Sequence, residues 1–274
     1  MKTDFELAHE QVDHFADQGY LALDKVTTDE EVAFIREIYD RLFSERVGWD
    51  EGNCFDLAGT DEEGKESALP QILAPARYAP ELNDTKLLEN VMAIARQLLG
   101  EEATGGFAHA IFKPPRIGAE TPWHQDAAYW GSTQWNNSIS VWVPLQEVNK
   151  ENGCMEFVPG SHKYDVLTHQ CINKDPRIHG LELVEEETYN IVDPVSCPLP
   201  AGGATIHGGY MLHHTEPNLS DVPRRAIILG ARTPSTERKL PRKFYWNEMK
   251  RTPRTERAKA AEERKETTGA GAIS

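Results

Sequence analysis

Cysteine is scarce in this sequence and never paired. The four residues, Cys54, Cys154, Cys171 and Cys197, are scattered without a CxxC spacing. That excludes a thiolate zinc site of the usual pattern and offers no disulfide framework. Long apolar runs are also missing: no stretch nears the roughly 20 residues that a bilayer-spanning helix needs. The opening MKTDFELAHEQ has no apolar core. No signal peptide is therefore expected, and a reducing cytoplasm is the expected compartment.

Positive charge is in short supply over most of the chain. Lys and Arg number 29 against 44 Asp and Glu, for a formal net charge of −15 in 274 residues. The imbalance is uneven. From Arg232 onward twelve basic residues meet six acidic ones, so this end carries +6 and the first 231 residues about −21. An acidic body excludes a polyanionic partner such as nucleic acid, and nothing points to a membrane. Residues 234–274 read as a basic, solvated and partly helical tail; a phosphorylated ligand or an acidic neighbour is the alternative use of its charge.

What is there is ordinary globular material, 39% hydrophobic and 27% charged, at a length that suits one domain. Residues 10–18 are spaced as a short amphipathic helix, with Gly19 as its stop. Tyr20-Leu-Ala-Leu reads as a strand. Thr28 can cap a second helix that opens on Asp29-Glu30-Glu31, as the helix dipole prefers, and buries Val32, Ile35, Ile38, Tyr39 and Leu42. Residues 46–66, acidic and Gly-containing, read as a loop. Residues 85–99 form a third helix, with Leu88, Val91, Met92, Ala95 and Leu99 at helical spacing. After Gly100 short apolar runs alternate with turn residues at 106–112, 139–145, 154–158, 204–207 and 226–231. This texture predicts a sandwich or barrel with helices packed on one side. The expected division is a single domain over 1–233, a helical buttress at 8–100 and a β core at 101–233, followed by the tail.

The chemistry concentrates in Pro122-Trp-His-Gln-Asp126. On an extended segment His124 and Asp126 share a face, so one imidazole and one carboxylate converge. A His-x-Asp arises by chance in about half of chains with this His and Asp content, so the pair needs support. The block from Leu212 supplies it: His213 and His214 follow a strand-like run, and eleven residues after His213 an arginine opens another strand. A third ligand would complete a 2-His-1-carboxylate triad, which leaves three positions of Fe(II) open. A guanidinium is what anchors the far carboxylate of a dicarboxylate co-substrate, through two parallel charge-assisted bonds. A strand register shifted by one would bring His214 inward instead of His213, and Arg225 instead of Arg224.

Taken together, Phe15-Ala-Asp-Gln-Gly-Tyr-Leu, Phe112-Lys-Pro-Pro, Trp123-His-Gln-Asp, Val141-Trp-Val-Pro-Leu, the segment from Asn152 to His162, Leu212-His-His-Thr-Glu-Pro-Asn and Arg224-Arg-Ala make this chain resemble the phytanoyl-CoA dioxygenase family over residues 12–233. The resemblance implies a double-stranded β-helix of jelly-roll type and an Fe(II)- and 2-oxoglutarate-dependent dioxygenase. It implies iron on His124, Asp126 and His213. It implies 2-oxoglutarate on Arg224 and Thr215, beside Trp142, with His109 and Gln71 in contact. Relatives often carry Gly-Ser where this chain has His214-Thr215; the hydroxyl is kept. Related iron halogenases lack the carboxylate that Asp126 supplies, so oxygenation is implied over halogenation.

The implied reaction consumes O2 and 2-oxoglutarate and releases succinate and CO2. Its default outcome is hydroxylation of an aliphatic C–H in a small-molecule metabolite. Desaturation, epimerisation or cyclisation are variants of the same oxidation, and a non-catalytic metal-binding jelly roll is the alternative class. Tyr129 and Trp130, just after the ligands, are expected to wall the substrate pocket, with Trp123 and Trp135 either beside them or in the core. Gln125 is expected to face away from iron, His162 to sit in a turn, and Asn218 to cap one. His169 and His207 read as ordinary strand or loop histidines, and Lys113 as a strand-end surface residue.

Overall fold

The computed structural model describes residues 5–62, 64–117, 119–240 and 242–267. A seven-stranded antiparallel sheet runs, in spatial order, β1 (Tyr20–Leu23), β12 (Ala204–Gly208), β7 (Ser138–Pro144), β14 (Arg224–Arg232), β4 (Thr104–Lys113), β3 (Pro70–Leu73) and β2 (Cys54–Asp56). A four-stranded antiparallel sheet runs β11 (Val195–Cys197), β8 (Met155–Phe157), β13 (His213–Thr215) and β5 (Thr121–His124). Two ribbons flank them: β9 (His169–Cys171) with β10 (Leu181–Leu183), and β6 (Gln134–Trp135) with β15 (Thr236–Glu237). One apolar cluster joins the two sheets, with Trp142, Ala226 and Ile228 from the larger meeting Met155, Phe157 and Cys197 from the smaller. This is the jelly-roll sandwich that the sequence implies.

The large sheet is buried on both faces, and period-two alternation sorts its residues. Val141, Val143, Ile206, Ile227 and Leu229 turn outward to a core shared with the helices. Their neighbours Ser140, Trp142, His207, Arg224 and Ile228 line the interior. Three helices cover the outer face: α1 (His9–Gln18), α2 (Asp29–Ser44) and α3 (Lys86–Leu99). Gly19 ends α1 with a left-handed φ of 85°. Thr28 accepts the Glu31 N–H as the α2 cap, and the five buried side chains of α2 are the expected ones. At about 1.5–3 kcal/mol each, that stripe outweighs the weak helix propensity of its β-branched members. On α3 the buried face is Leu87, Val91, Ile94 and Ala95, while Leu88, Met92 and Leu99 lie at its margin. A three- or four-residue repeat fixes a stripe's existence, but docking onto the sheet chooses its centre.

The predicted loop at 46–66 contains an element. β2 forms the sheet edge there, and the Asp56 carboxylate at its end accepts the N–H groups of Ala58, Ala68 and Leu69, which draws together the two ends of the loop leading to β3. Its strand-forming signal was hidden in an acidic stretch.

Over its described residues, 234–240 and 242–267, the C-terminal segment differs from a solvated tail; 268–274 lie outside the described residues. It carries α4 (Tyr245–Met249) and α5 (Pro253–Thr267). Phe244 and Trp246 are buried and stacked on one another, with ring centroids 4.9 Å apart. Trp246 Nε1 donates to the Ala128 carbonyl at 2.9 Å, and Asn247 Nδ2 donates to the same oxygen at 2.7 Å. Arg238 grips Asp165 with two bonds of 2.9 Å. Arg257 pairs with Asp61 and lies over the Trp49 ring. The acidic neighbour of the basic segment is thus the body of its own chain. Trp246→Ala is expected to lower stability by about 3–5 kcal/mol in denaturant unfolding; a loss under about 1 kcal/mol would mean the segment rests on the body without anchoring it.

Among the described residues no helix is long and apolar enough to cross a membrane. All four cysteines are free and buried.

Candidate active site

The sandwich encloses a chamber of about 710 Å³, within the usual range for small-molecule sites. His124 ends β5 and His213 begins β13; they are direct cross-strand partners, with ring centroids 4.1 Å apart. Gln125 continues the extended backbone, and Asp126 opens a 3₁₀ turn, Asp126–Tyr129. The carboxylate therefore arrives on the same face as His124. Asp126 Oδ1 stands 3.8 Å from His124 Nε2 and 3.6 Å from His213 Nε2. The three donor atoms are close enough to hold one metal ion.

Their protonation suits that task. His124 Nδ1 lies 2.7 Å from the Pro122 carbonyl, and His213 Nδ1 lies 2.9 Å from the Met211 carbonyl. A carbonyl only accepts, so each Nδ1 carries the proton and each Nε2 keeps its lone pair for a metal. Burial lowers both imidazole pKa values, His213 well below the usual histidine value with help from the neighbouring His124 and His207 rings. Burial alone would raise the Asp126 carboxyl, but the surrounding His213, His207 and His124 hold it well below the usual carboxylate range. Ser140 donates to its other oxygen, Oδ2, at 2.6 Å.

Gln125, between the two, points away and acts as a peg. Its Nε2 donates to the Tyr210 and Asp165 carbonyls, its Oε1 accepts the Leu167 N–H, and its own N–H is taken by His169 Nε2. His169 is therefore a structural acceptor, its Nδ1 proton on the Leu167 carbonyl and its pKa driven down by burial to about 3.

His214 faces the opposite side of β13. Its ring stacks on Trp123 at 5.1 Å, its Nδ1 meets Glu156 and its Nε2 meets Glu120. Glu156, His214 and Glu216 also approach ion-binding spacing. Glu156 is already engaged by Lys150 and Ser196, so this group is a hydrogen-bonded network around Glu156 that supports the strand.

Deeper in, Arg224 is buried at 1% exposure. Its Nε has no partner, and its Nη1 reaches only the Ile111 carbonyl, at 3.4 Å. Its guanidinium lies 5.4 Å from the centre of the Trp142 ring. Burial draws its pKa down to about 10, which leaves it charged at neutral pH. The Thr215 hydroxyl is likewise buried without a partner. Arg225 points out of the chamber and forms two bonds to Asp40 on α2. The adjacent histidine and arginine pairs are thus both split by strand alternation, one member inward and one outward.

Lys113 corrects the surface expectation. It is fully buried, and its Nζ donates to the Thr215 and Glu216 carbonyls at 3.1 and 2.6 Å. The reason is register: Lys113 pairs with Arg224 across β4 and β14, so the strand end lies under the β13–β14 connection. Burial and the Arg224 charge push its pKa well below the usual lysine value. The Arg224 guanidinium, with its unpartnered Nε, and the unpartnered Thr215 hydroxyl thus line one chamber where no carboxylate bonds them, an arrangement fitted to a carboxylate ligand.

His109 and Gln71 line the same chamber, on β4 and β3. Tyr129 and Trp130 wall it too. Trp123 stands behind His214, and Trp135 is exposed, packed on Arg238. His162 sits in the expected turn against Gly19. Asn218 caps its turn through bonds to Lys113, Pro114, Val222 and Ser220. Two lining histidines were not singled out from sequence as part of the site. His179 lies on the wall beside Tyr129, and His207 beside Asp126. Neither has a sequence signal of its own.

The phytanoyl-CoA dioxygenase (PhyH) family model matches residues 15–226. A probable alpha-ketoglutarate-dependent hypophosphite dioxygenase of Stutzerimonas stutzeri is 27% identical over 226 residues, covering 81% of this chain and 77% of that one. The ectoine dioxygenase of Bordetella bronchiseptica is 27% identical over 238 residues, covering 81% and 74%. Among solved structures, EvdO2 from Micromonospora carbonacea var. aurantiaca aligns with a TM-score of 0.76 at 37% identity, over 90% of this chain and 99% of that one. The form of EvdO2 complexed with 2-oxoglutarate aligns with a TM-score of 0.74. With a family match spanning most of its length and a site whose donors fit that family's metal and co-substrate, the chain belongs to the phytanoyl-CoA dioxygenase family of iron- and 2-oxoglutarate-dependent oxygenases.

Proposed function

We propose that the protein hydroxylates an aliphatic C–H of a small-molecule metabolite, with His124, Asp126 and His213 holding Fe(II) and Arg224 anchoring 2-oxoglutarate. The observation that carries this reading is the convergence of two Nε2 atoms and one carboxylate oxygen in the same chamber as a buried, uncompensated Arg224. When bound, iron and 2-oxoglutarate supply the oxidising power, with succinate and CO2 as co-products and one oxygen atom passing to the substrate. The chain's part is positional. The carbonyls of Pro122 and Met211 aim the imidazole lone pairs. Arg224 and the Thr215 hydroxyl take the distal carboxylate, beside Trp142, with His109 and Gln71 at the co-substrate's flank. Tyr129 and Trp130 wall the remaining space and exclude water.

Among the described residues that line the chamber Asp126 is the single carboxylate, and it belongs to the metal. A cationic substrate would find no counter-charge, which favours neutral or anionic molecules. Desaturation, epimerisation and cyclisation are the other outcomes open to the same oxidation.

The test has two stages. Anaerobic addition of Fe(II) and then 2-oxoglutarate should produce a weak visible charge-transfer band. A screen of small acids, neutral molecules and amines should then show substrate-dependent succinate release confined to the first two classes. No band, and no succinate with any compound, would overturn the reading; hits restricted to amines would overturn the substrate class alone.

A further inference from the structure

His207 has no place in the ligand set, yet it is among the most confined polar groups of the chamber. It is 3% exposed, and neither ring nitrogen has a hydrogen-bond partner. The His213 ring lies 4.3 Å away on one side and the Phe157 ring 5.3 Å away. Burying an imidazole with both nitrogens unmet costs stability, so its placement calls for a reason. Its Nε2 stands 3.4 Å from Asp126 Oδ2. That is longer than a formed hydrogen bond, but catalytic bonds commonly tighten only when a site is loaded.

Strand pairing makes this contact more than accidental. His207 on β12 is the cross-strand partner of Ser140 on β7. The Ser140 hydroxyl already donates to the same Oδ2. Two neighbouring residues of the large sheet therefore reach for one carboxylate oxygen, while the two histidines of the small sheet face the other.

His207 is built as a donor and not as a ligand. In His124 and His213 a backbone carbonyl at Nδ1 leaves the lone pair on Nε2. His207 Nδ1 has no such carbonyl, and its Nε2 faces a carboxylate oxygen at 3.4 Å, which only accepts. The proton accordingly belongs on Nε2.

We propose that His207 is a positioning residue: together with Ser140 it holds Asp126 Oδ2, so that Asp126 offers the metal one oxygen and cannot chelate it through both. The count of positions explains the need. Three protein ligands and a bidentate 2-oxoglutarate leave one of six positions for O2. A chelating Asp126 would consume a position that 2-oxoglutarate or O2 requires.

This inference rests on the ligand assignment above, and binding measurements separate the two. Wild type and His207→Gln, His207→Asn and His207→Phe are titrated anaerobically, first with Fe(II) alone, read by calorimetry, and then with 2-oxoglutarate, read by the charge-transfer band. Gln places an amide nitrogen near the position of Nε2, whereas Asn reaches only the position of Nδ1. The expected result is a 2-oxoglutarate dissociation constant about tenfold or more weaker in the Asn and Phe variants, the usual scale for groups that orient a metal ligand. The loss of Fe(II) affinity should be smaller, and Gln should recover most of the 2-oxoglutarate binding. Should Phe fail to fold, the Gln and Asn pair decides alone. Wild-type 2-oxoglutarate affinity in the Asn variant would overturn the proposal. So would a loss dominated by Fe(II) affinity in Gln and Asn alike, the signature of a removed ligand. Absence of any band in the wild type would instead sink the iron-site reading itself.

Discussion

Replacing Arg224 with methionine should stabilise the metal-free protein and abolish its hold on 2-oxoglutarate. Both effects come from one fact: a guanidinium sits at 1% exposure with an orphan Nε and no carboxylate partner. Taking an ion out of water costs several kcal/mol when nothing nearby compensates it. Lys113, packed close by, adds to the unfavourable charge. Methionine fills similar space with a flexible, uncharged chain. A gain of about 2 kcal/mol, or roughly 4–8 °C in a chain of this size, is expected in thermal unfolding without ligands. The same substitution removes the charge that pairs with the distal carboxylate, an interaction on the order of 2–5 kcal/mol when buried. The dissociation constant of 2-oxoglutarate should therefore rise at least about 30-fold, with the charge-transfer band lost at ordinary concentrations. Unchanged 2-oxoglutarate affinity in the methionine variant would remove Arg224 from the co-substrate site, whatever happened to the melting temperature.

The second large effect separates two adjacent histidines. His213→Ala should lose Fe(II) binding by a factor of about 100 or more with a smaller loss of stability than His214→Ala, because among the described residues its ring hydrogen-bonds only to the Met211 carbonyl. His214→Ala should do the reverse. It breaks the network with Glu156 and Glu120 and the stack on Trp123, so Glu156, 6% exposed, loses one of its partners. A cost of about 1–3 kcal/mol is expected, the scale for a buried acceptor that loses one donor, because Lys150 and Ser196 remain. Fe(II) titration and urea unfolding of both variants give the comparison. Metal binding retained in His213→Ala and lost in His214→Ala would reverse the assignment of this strand's two faces.

Both pairs, His213/His214 and Arg224/Arg225, show where local reading stops. Strand alternation guarantees that one member faces in and the other out. Which one does so depends on pairing: His213 lies opposite His124, and Arg224 opposite Lys113. Those partners are roughly 90 and 110 residues away in sequence. The same non-local pairing decides Lys113, whose neighbours read as a strand end and whose burial comes from the β13–β14 connection above it.

By itself the sequence determined the family, the helices with their caps, the alternating strands and the three residue types needed for the metal. These are legible because propensity, capping and period-two patterning act over a few residues, and because His124-Gln-Asp126 brings two ligands together within one extended segment. Only the tertiary structure decided the inward histidine and arginine, the folding of the basic C-terminal segment onto the acidic body, and the placing of His207 against Asp126. Each of these depends on burial and register set by distant strands. A histidine has the same name in a loop, a core or a metal site, and only its neighbours in space assign the proton on its ring.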